Sequence, residues 1–465
     1  MSTARRLAPA DAMFVYGETR ETPQHVGTLL RFAPPPGAGG DHLRTTFDRL
    51  RREVPVAPPW NRKLATPRLP FNPVHTWVPD RSFDLDYHVR RTAVPAPGDE
   101  RELGILIARL HASPLDLTKP PWELHVVEGL EGGAFAMFIK VHHALVDGYT
   151  MTRTLELAFT PEPDSGPPRL FYNVPLDAPV DVPQRLLWAD PGSALASSAT
   201  DVRAMVALTR AFGRLALRRS PLVGSFDAPN SIFNRRITRN RRFATQQYPL
   251  DQLKRLAKAS GTTLNDVALA VCGGGLRTYL RELDELPDRP LIAFVPVNVR
   301  PKGDPGGGNA VGGMLASLGT HLADPVERLQ AVHASTQHAK RQLEGMTKDA
   351  VMAYSQALLA PSGLQVLSAV SGLPGAHRRT FNVTISNVPG PARTLWFGGS
   401  RLEASYPASI VGHGLALNIT LFSYDGKMHL GFTGCRDTVP HLQRLAVHTG
   451  AAVAELDAAL STSAA

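Results

Sequence analysis

Only two cysteines, Cys272 and Cys435, occur in the 465 residues. Both sit in apolar neighbourhoods, so a disulfide framework is excluded, a thiolate metal cluster is nearly so, and buried unreactive thiols in a reducing compartment are expected. No stretch approaches the ~20 consecutive apolar residues that a membrane-spanning helix needs. The start, Met1-Ser2-Thr3-Ala4-Arg5-Arg6, runs into Leu7-Ala8-Pro9-Ala10-Asp11, which breaks any apolar run before a signal-peptide core could form. A cytosolic protein is expected, unless it adheres to a membrane surface. Also missing are a phosphate loop of the G-x-x-x-x-G-K type, a G-x-S-x-G elbow, an H-E-x-x-H pair, heptad arrays, solenoid repeats and low-complexity tracts.

What is present is an ordinary globular composition, 43% hydrophobic and 20% charged, which leaves no room for a fibrous or wholly disordered class. The length exceeds one compact core and predicts two domains. Acidic residues are scarce in one place. From Arg203 to Arg242 ten arginines face a single acid, Asp227, while the rest of the chain is neutral, so the net charge of +9 resides in that segment. Arg203, Arg210, Arg214 and Arg218 fall on one helical face and Met205, Leu208, Phe212 and Leu215 on the other, predicting a basic amphipathic helix. Such a helix either docks its apolar side on the core or lies at an anionic lipid surface. No nucleic-acid reader motif accompanies the charge, and nucleic acid is not an expected partner.

Along the chain, strands and helices are expected from His25 to about Thr160. The run 161–168, with further prolines at 175, 179 and 183, reads as a domain-linking segment. Two helices are expected between Leu250 and Leu283, the first stopped by Gly261 and the second capped by Thr263 or Asn265. Leu291–Val297 reads as a buried strand that Pro296 demotes to an edge or a bend, and Gly303 to Gly313 as a flexible crossover loop. Phe381–Val388 alternates with period two into a Pro-Gly-Pro turn. Leu415–Phe422 and Met428–Phe432 form a hairpin across Tyr424–Lys427, and a helix closes the chain from about Val439 to Leu460.

The most informative stretch is His142-His143-Ala144-Leu145-Val146-Asp147-Gly148, directly after the strand-like run Phe135–Val141. Apolar alternation that stops at two histidines places an imidazole at a strand end, where a rigid sheet can aim it into a cleft. An unperturbed imidazole, with a pKa of about 6.5, is largely neutral at pH 7 and can accept a proton. Asp147 and Gly148 predict a tight turn in which the carboxylate pins the loop and the glycine permits close approach of backbone or substrate. Taken alone, the heptapeptide is compatible with a catalytic base, with ordinary core and turn residues, or with metal ligands at a strand end.

The surrounding residues extend the pattern. Ser113-Pro114-Leu115-Asp116 through Pro120-Pro121-Trp122-Glu123 and Glu128-Gly129-Leu130 precede it, Pro23-Gln24-His25-Val26-Gly27 lies near the start, and Asn265-Asp266-Val267, Val295–Arg300 and Ser386-Asn387-Val388-Pro389-Gly390-Pro391 follow in order. The whole chain thereby resembles the bacterial wax ester synthase/diacylglycerol acyltransferase family, whose HHxxxDG signature matches His142 to Gly148. Two departures are Pro121, where the family usually has leucine, and Gln24, where methionine is frequent.

The resemblance implies an α/β fold: two chloramphenicol-acetyltransferase-like domains with mixed sheets flanked by helices and a substrate tunnel between them. Their expected bounds are 1–185 and 231–465, with 186–230 a linker carrying the basic helix. It implies an acyl-CoA-dependent O-acyltransferase acting on diacylglycerol or a long-chain fatty alcohol at a peripheral membrane or lipid-inclusion surface. Acyl-CoA is then a substrate, and no metal or bound cofactor is expected. His143 is the expected general base. Asp147 is expected to pair with Arg300, His142 to support the loop, Gly148 to complete it, and Asn265 to lie near the thioester or cap its helix. A condensation-type acyltransferase acting on an amine or carrier-bound hydroxyl, or a non-catalytic lipid-binding protein, is the alternative.

Overall fold

The structure, a computed structural model, describes residues 5–7, 9–53, 55–65, 75–163, 168–176, 223–224, 226–298, 311–346, 348–359, 361–371 and 379–462. The basic helix expected at 203–218, most of the linker at 186–230, the loop residues 303–310 and Arg300 lie outside them. Fifteen strands form two six-stranded mixed sheets and a small three-stranded one among the described residues.

In chain order the strands are β1 (Arg5–Arg6), β2 (His25–Ala33), β3 (Arg62–Leu64), β4 (Thr76–Pro79), β5 (Val89–Ala93), β6 (Trp122–Glu128), β7 (Phe135–His142), β8 (Arg241–Pro249), β9 (Ile292–Asn298), β10 (Val311–Ser317), β11 (Val383–Pro389), β12 (Trp396–Phe397), β13 (Ser400–Ala408), β14 (Leu417–Tyr424) and β15 (Lys427–Cys435). The first large sheet has the order β12-β13-β2-β7-β6-β5 and the second β10-β9-β11-β14-β15-β8. β7 is central in the first, between β2 and β6. Every one of its side chains is buried, as its near-continuous apolar run requires for a strand covered on both faces.

Two strands of the first sheet, β12 and β13, come from the expected C-terminal domain. β13 runs antiparallel to β2 from Ala33↔Arg401 to Gly27↔Ala408. It also meets the second sheet. Ser409 N–H donates to Thr433 Oγ1 at 3.1 Å, and Tyr424 Oη donates to Leu402 O at 2.9 Å. A Cβ on Gly431 would lie 1.7 Å from Pro407 O, so β15 can approach β13 this closely only with glycine there. The two sheets are therefore joined by side-chain-to-backbone hydrogen bonds and by close backbone approach at Gly431.

Local signals account for most elements. The helix Leu250–Ser260 ends at Gly261 in the left-handed conformation, and Leu264–Glu282 begins with Thr263 accepting from Asp266 N–H. β14 and β15 are antiparallel neighbours joined at Asp425-Gly426, both with positive φ, as a two-residue hairpin turn demands. The last helix is Leu442–Thr462.

Three expectations are corrected. β9 is internal, not an edge: β10 flanks it on one side and β11 on the other, but its pairing with β11 stops at Phe294. Pro296 thus lies beyond the parallel ladder, where its missing N–H breaks no bond. The crossover loop ends early, because Val311–Ser317 is β10, antiparallel to β9, with Gly313 opposite Pro296 and packed under the Phe294 ring. The Pro-rich linker also contains core: Leu170, Phe171 and Tyr172 are buried, and Phe171 and Tyr172 pack on Trp122. Prolines interrupt helix and strand there without preventing burial.

Candidate active site

β7 ends at His142, and residues 143–147 turn from the strand into the helix Gly148–Ala158. The turn is held by backbone on both sides. His142 N–H donates to Pro121 O at 2.9 Å, His143 N–H to Gln24 O at 2.9 Å, and Leu145 N–H to His142 O at 2.9 Å. At both departures from the family pattern, Pro121 and Gln24, the contact to the loop is made by a backbone carbonyl that any residue supplies.

His142 is wholly buried, and His25 lies directly opposite it on β2. Its Nδ1 accepts the Ala144 N–H at 3.2 Å, and its Nε2 donates to Glu18 Oε2 at 2.7 Å. Both nitrogens are engaged in holding the turn, as expected of a loop-supporting histidine. His143 is half-buried, and its imidazole stacks on the Phe14 ring, centroids 4.2 Å apart and planes 16° apart. Phe14 belongs to the N-terminal helix Pro9–Tyr16.

Asp147, 2% exposed, is the N-cap of the helix Gly148–Ala158, its Oδ1 accepting from Thr150 N–H at 2.8 Å. The carboxylate thus faces the positive end of a helix, where anionic groups are stabilised. Its expected partner Arg300 is outside the described residues. Gly148 opens the helix, and among the described residues a Cβ there would meet no atom within 4 Å, which leaves room for the close approach expected of it. Among the described residues no group of three His, Cys, Asp or Glu is placed to hold a metal ion.

Beneath the loop lies a buried polar layer that the sequence analysis missed. Lys140, fully buried, donates from Nζ to Leu110 O at 3.2 Å, to Ser113 O at 2.9 Å and to Glu123 Oε2 at 3.0 Å. It neutralises the carbonyl end of the helix Glu100–Ala112. Burial works to raise the Glu123 carboxyl, but the His125 hydrogen bond and the Lys140 charge outweigh it and hold the group down at about 2. Burial drives His111 down to about 3 and His25 well below its ordinary value. His25 Nε2 donates to His111 O at 2.9 Å, and His111 Nε2 to Ser409 O at 3.0 Å. A lysine within the otherwise apolar run Phe135–Val141 was the available signal.

Asn265 is not the cap of its helix. Thr263 is, in a reciprocal capping box with Asp266, whose buried carboxylate also accepts from His333 Nδ1 at 2.7 Å and Thr336 Oγ1 at 2.6 Å. Released from capping, Asn265 presents Oδ1 to Asn387 Nδ2 at 3.5 Å, bringing together two of the sequence motifs.

Two mixed sheets flanked by helices make a fold shared with condensation domains. The starter condensation domain of rhizomide synthetase, in complex with C8-CoA, shares that fold at 13% identity and a TM-score of 0.57, over 99% of this chain and 96% of the other. The chain belongs to the wax ester synthase/diacylglycerol acyltransferase family, matching its catalytic domain over residues 7–268 and its C-terminal domain over 307–457. A putative diacylglycerol O-acyltransferase of Mycobacterium tuberculosis is 51% identical over 98% of both chains. The O-acyltransferase WSD of Acinetobacter baylyi is 38% identical over 96% of this chain and 95% of that one. The wax ester synthase/diacylglycerol acyltransferase of Marinobacter aquaeolei superposes with a TM-score of 0.76 at 35% identity, covering 98% and 100%.

Proposed function

We propose that the protein transfers a long-chain acyl group from acyl-CoA to diacylglycerol, to a long-chain fatty alcohol, or to both, with His143 as general base. The observation that carries this reading is the His143 ring, half-buried at the end of a buried central strand and held by its backbone to Gln24 O. The acyl thioester already has a good leaving group, so the difficult step is attack by a poorly acidic hydroxyl. His143 accepts the hydroxyl proton as the oxygen attacks the thioester carbonyl carbon. Collapse of the tetrahedral adduct breaks the carbon–sulfur bond, and the proton passes to the departing thiolate; a positioned base contributes about 10²- to 10⁴-fold.

Asp147 and Arg300 lock the loop across the two halves of the chain, and Asn265 supplies a polar group on the thioester side. The reaction needs no metal or bound cofactor in this reading. No helix among the described residues is long and apolar enough to cross a membrane. We place the enzyme in the cytoplasm, peripherally at a lipid surface, because its acceptors partition there and the arginine-rich segment suits anionic headgroups.

Purified protein given acyl-CoA with hexadecanol, diacylglycerol or a long-chain amine, with products separated by thin-layer chromatography, tests the reading. Ester from either alcohol supports it. Amide in preference to ester establishes the condensation-type alternative, and binding without any product leaves a lipid-binding protein.

A further inference from the structure

The segment from Phe14 to Gln24 grips the histidine loop at three points, although it lies more than a hundred residues away in sequence. Phe14 stacks on the His143 ring, the Gln24 carbonyl accepts the His143 N–H, and Glu18 accepts from His142. The third contact has a consequence for the other two. His142 Nδ1 accepts the Ala144 N–H, so the ring's proton is on Nε2, and that nitrogen points at the Glu18 carboxylate 2.7 Å away. The His142 side chain is completely buried and that of Glu18 is 12% exposed. A carboxylate only accepts, so it can select just this tautomer. A charged acceptor in a water-poor site also makes a shorter and stronger bond than a neutral one.

We propose that Glu18 is a positioning residue for His143. By holding the Nε2 proton it obliges Nδ1 of His142 to accept from Ala144, and so fixes the backbone on both sides of the intervening His143. It also anchors the chain two residues beyond the helix that carries Phe14. Without Glu18 the buried Nε2–H loses this acceptor, and the imidazole is freed to rotate or exchange tautomer at the expense of the Ala144 contact. Misplacement of a base lowers turnover far more than it lowers substrate affinity. This role rests on His143 being the base.

The test compares Glu18→Ala, Glu18→Gln, Glu18→Asp and His143→Ala for kcat, for KM toward acyl-CoA, for thermal midpoint, and for the His142 Nε2–H proton resonance in protein labelled with ¹⁵N-histidine. Glu18→Ala is expected to lower kcat by about 10- to 100-fold, the usual effect of removing a hydrogen-bonded supporting group, with KM within about twofold. It should also lose the downfield N–H resonance. Glu18→Gln, whose amide oxygen accepts the same proton, recovers most of the rate and keeps the resonance. A merely structural Glu18 would lower the thermal midpoint and leave kcat of the folded enzyme unchanged, which overturns the proposal. If Glu18→Ala does not fold, Glu18→Asp, which withdraws the carboxylate by one methylene, carries the same expectation and the same refutation. A slow His143→Ala beside a full-rate Glu18→Ala overturns this proposal alone; a full-rate His143→Ala removes the base assignment and this role with it.

Discussion

The Phe14 ring lies face to face with the His143 imidazole, 4.2 Å between centroids, and so confines the plane in which the proposed base meets its substrate. His143→Ala is expected to lower ester formation by about 10²- to 10⁴-fold. Phe14→Leu, which keeps apolar volume and loses the stacked face, is expected to cost a stacking energy of about 0.5–1.5 kcal/mol and to reduce kcat by several-fold. Steady-state rates with saturating acyl-CoA measure both, and an undiminished His143→Ala rate would remove the base from the mechanism.

The N-cap role of Asp147 and its proposed pairing with Arg300 are separable. As N-cap it accepts from Thr150 N–H, so Asp147→Ala should lower unfolding free energy by about 1 kcal/mol, whereas Asn, an equally good cap, should not. The proposed pairing with Arg300 needs the charge. Asp147→Asn and Arg300→Lys should each lower activity with little loss of stability from the first, as urea titrations and ester assays on the same preparations will show.

Thr263 and Asn265 are told apart by the cap geometry. Thr263→Ala should destabilise the protein by about 1 kcal/mol. Asn265→Ala should change stability by less than about 0.5 kcal/mol, because the cap is untouched, while lowering activity if its amide meets the thioester. Equal destabilisation by the two variants would return Asn265 to a structural role.

On acidification the protein should begin to lose stability before its carboxylates are protonated. Burial lowers His111 to about 3 and His429 to about 4, and His25 also lies well below its ordinary value. As pH falls through about 6.5 the unfolded chain takes up these protons first, so their contribution is complete above that value and is lost progressively toward pH 3–4. Each histidine adds a slope approaching ~1.4 kcal/mol per pH unit. Urea unfolding between about pH 7 and about pH 5 measures the sum, and His429→Phe should reduce the slope by about one proton.

Gly431→Ala probes the junction between the sheets. The added Cβ would meet Pro407 O at 1.7 Å, and since that oxygen belongs to the backbone of β13, paired there with β2, it cannot yield without moving the strand. A loss of at least ~1–3 kcal/mol is expected, read as a lowered thermal midpoint.

The parts of the site that lie within one turn of chain were legible beforehand. The apolar run 135–141 predicts a buried strand, two histidines at its end predict an aimed imidazole, and Gly261, Thr263 and Asp425-Gly426 announce a helix stop, a helix cap and a hairpin turn. Where local reading left two caps open, Thr263 or Asn265, the folded helix uses Thr263. Pro296 illustrates the limit. A proline rules out a ladder bond at its own nitrogen, but whether that makes an edge depends on where the neighbouring strand diverges, and β11 leaves β9 after Phe294.

By itself, then, the sequence determined the histidine loop, the elements on either side of it and the family whose ordered motifs it carries, because periodicity, caps and turns act over a few residues. Tertiary structure alone decided that Glu18 meets His142, that Lys140 caps the helix Glu100–Ala112, and that β12 and β13 complete the first sheet. These pairings span from 30 to several hundred residues, and no local preference encodes them. They form because buried donors, acceptors and charges must find partners once the two sheets close on each other.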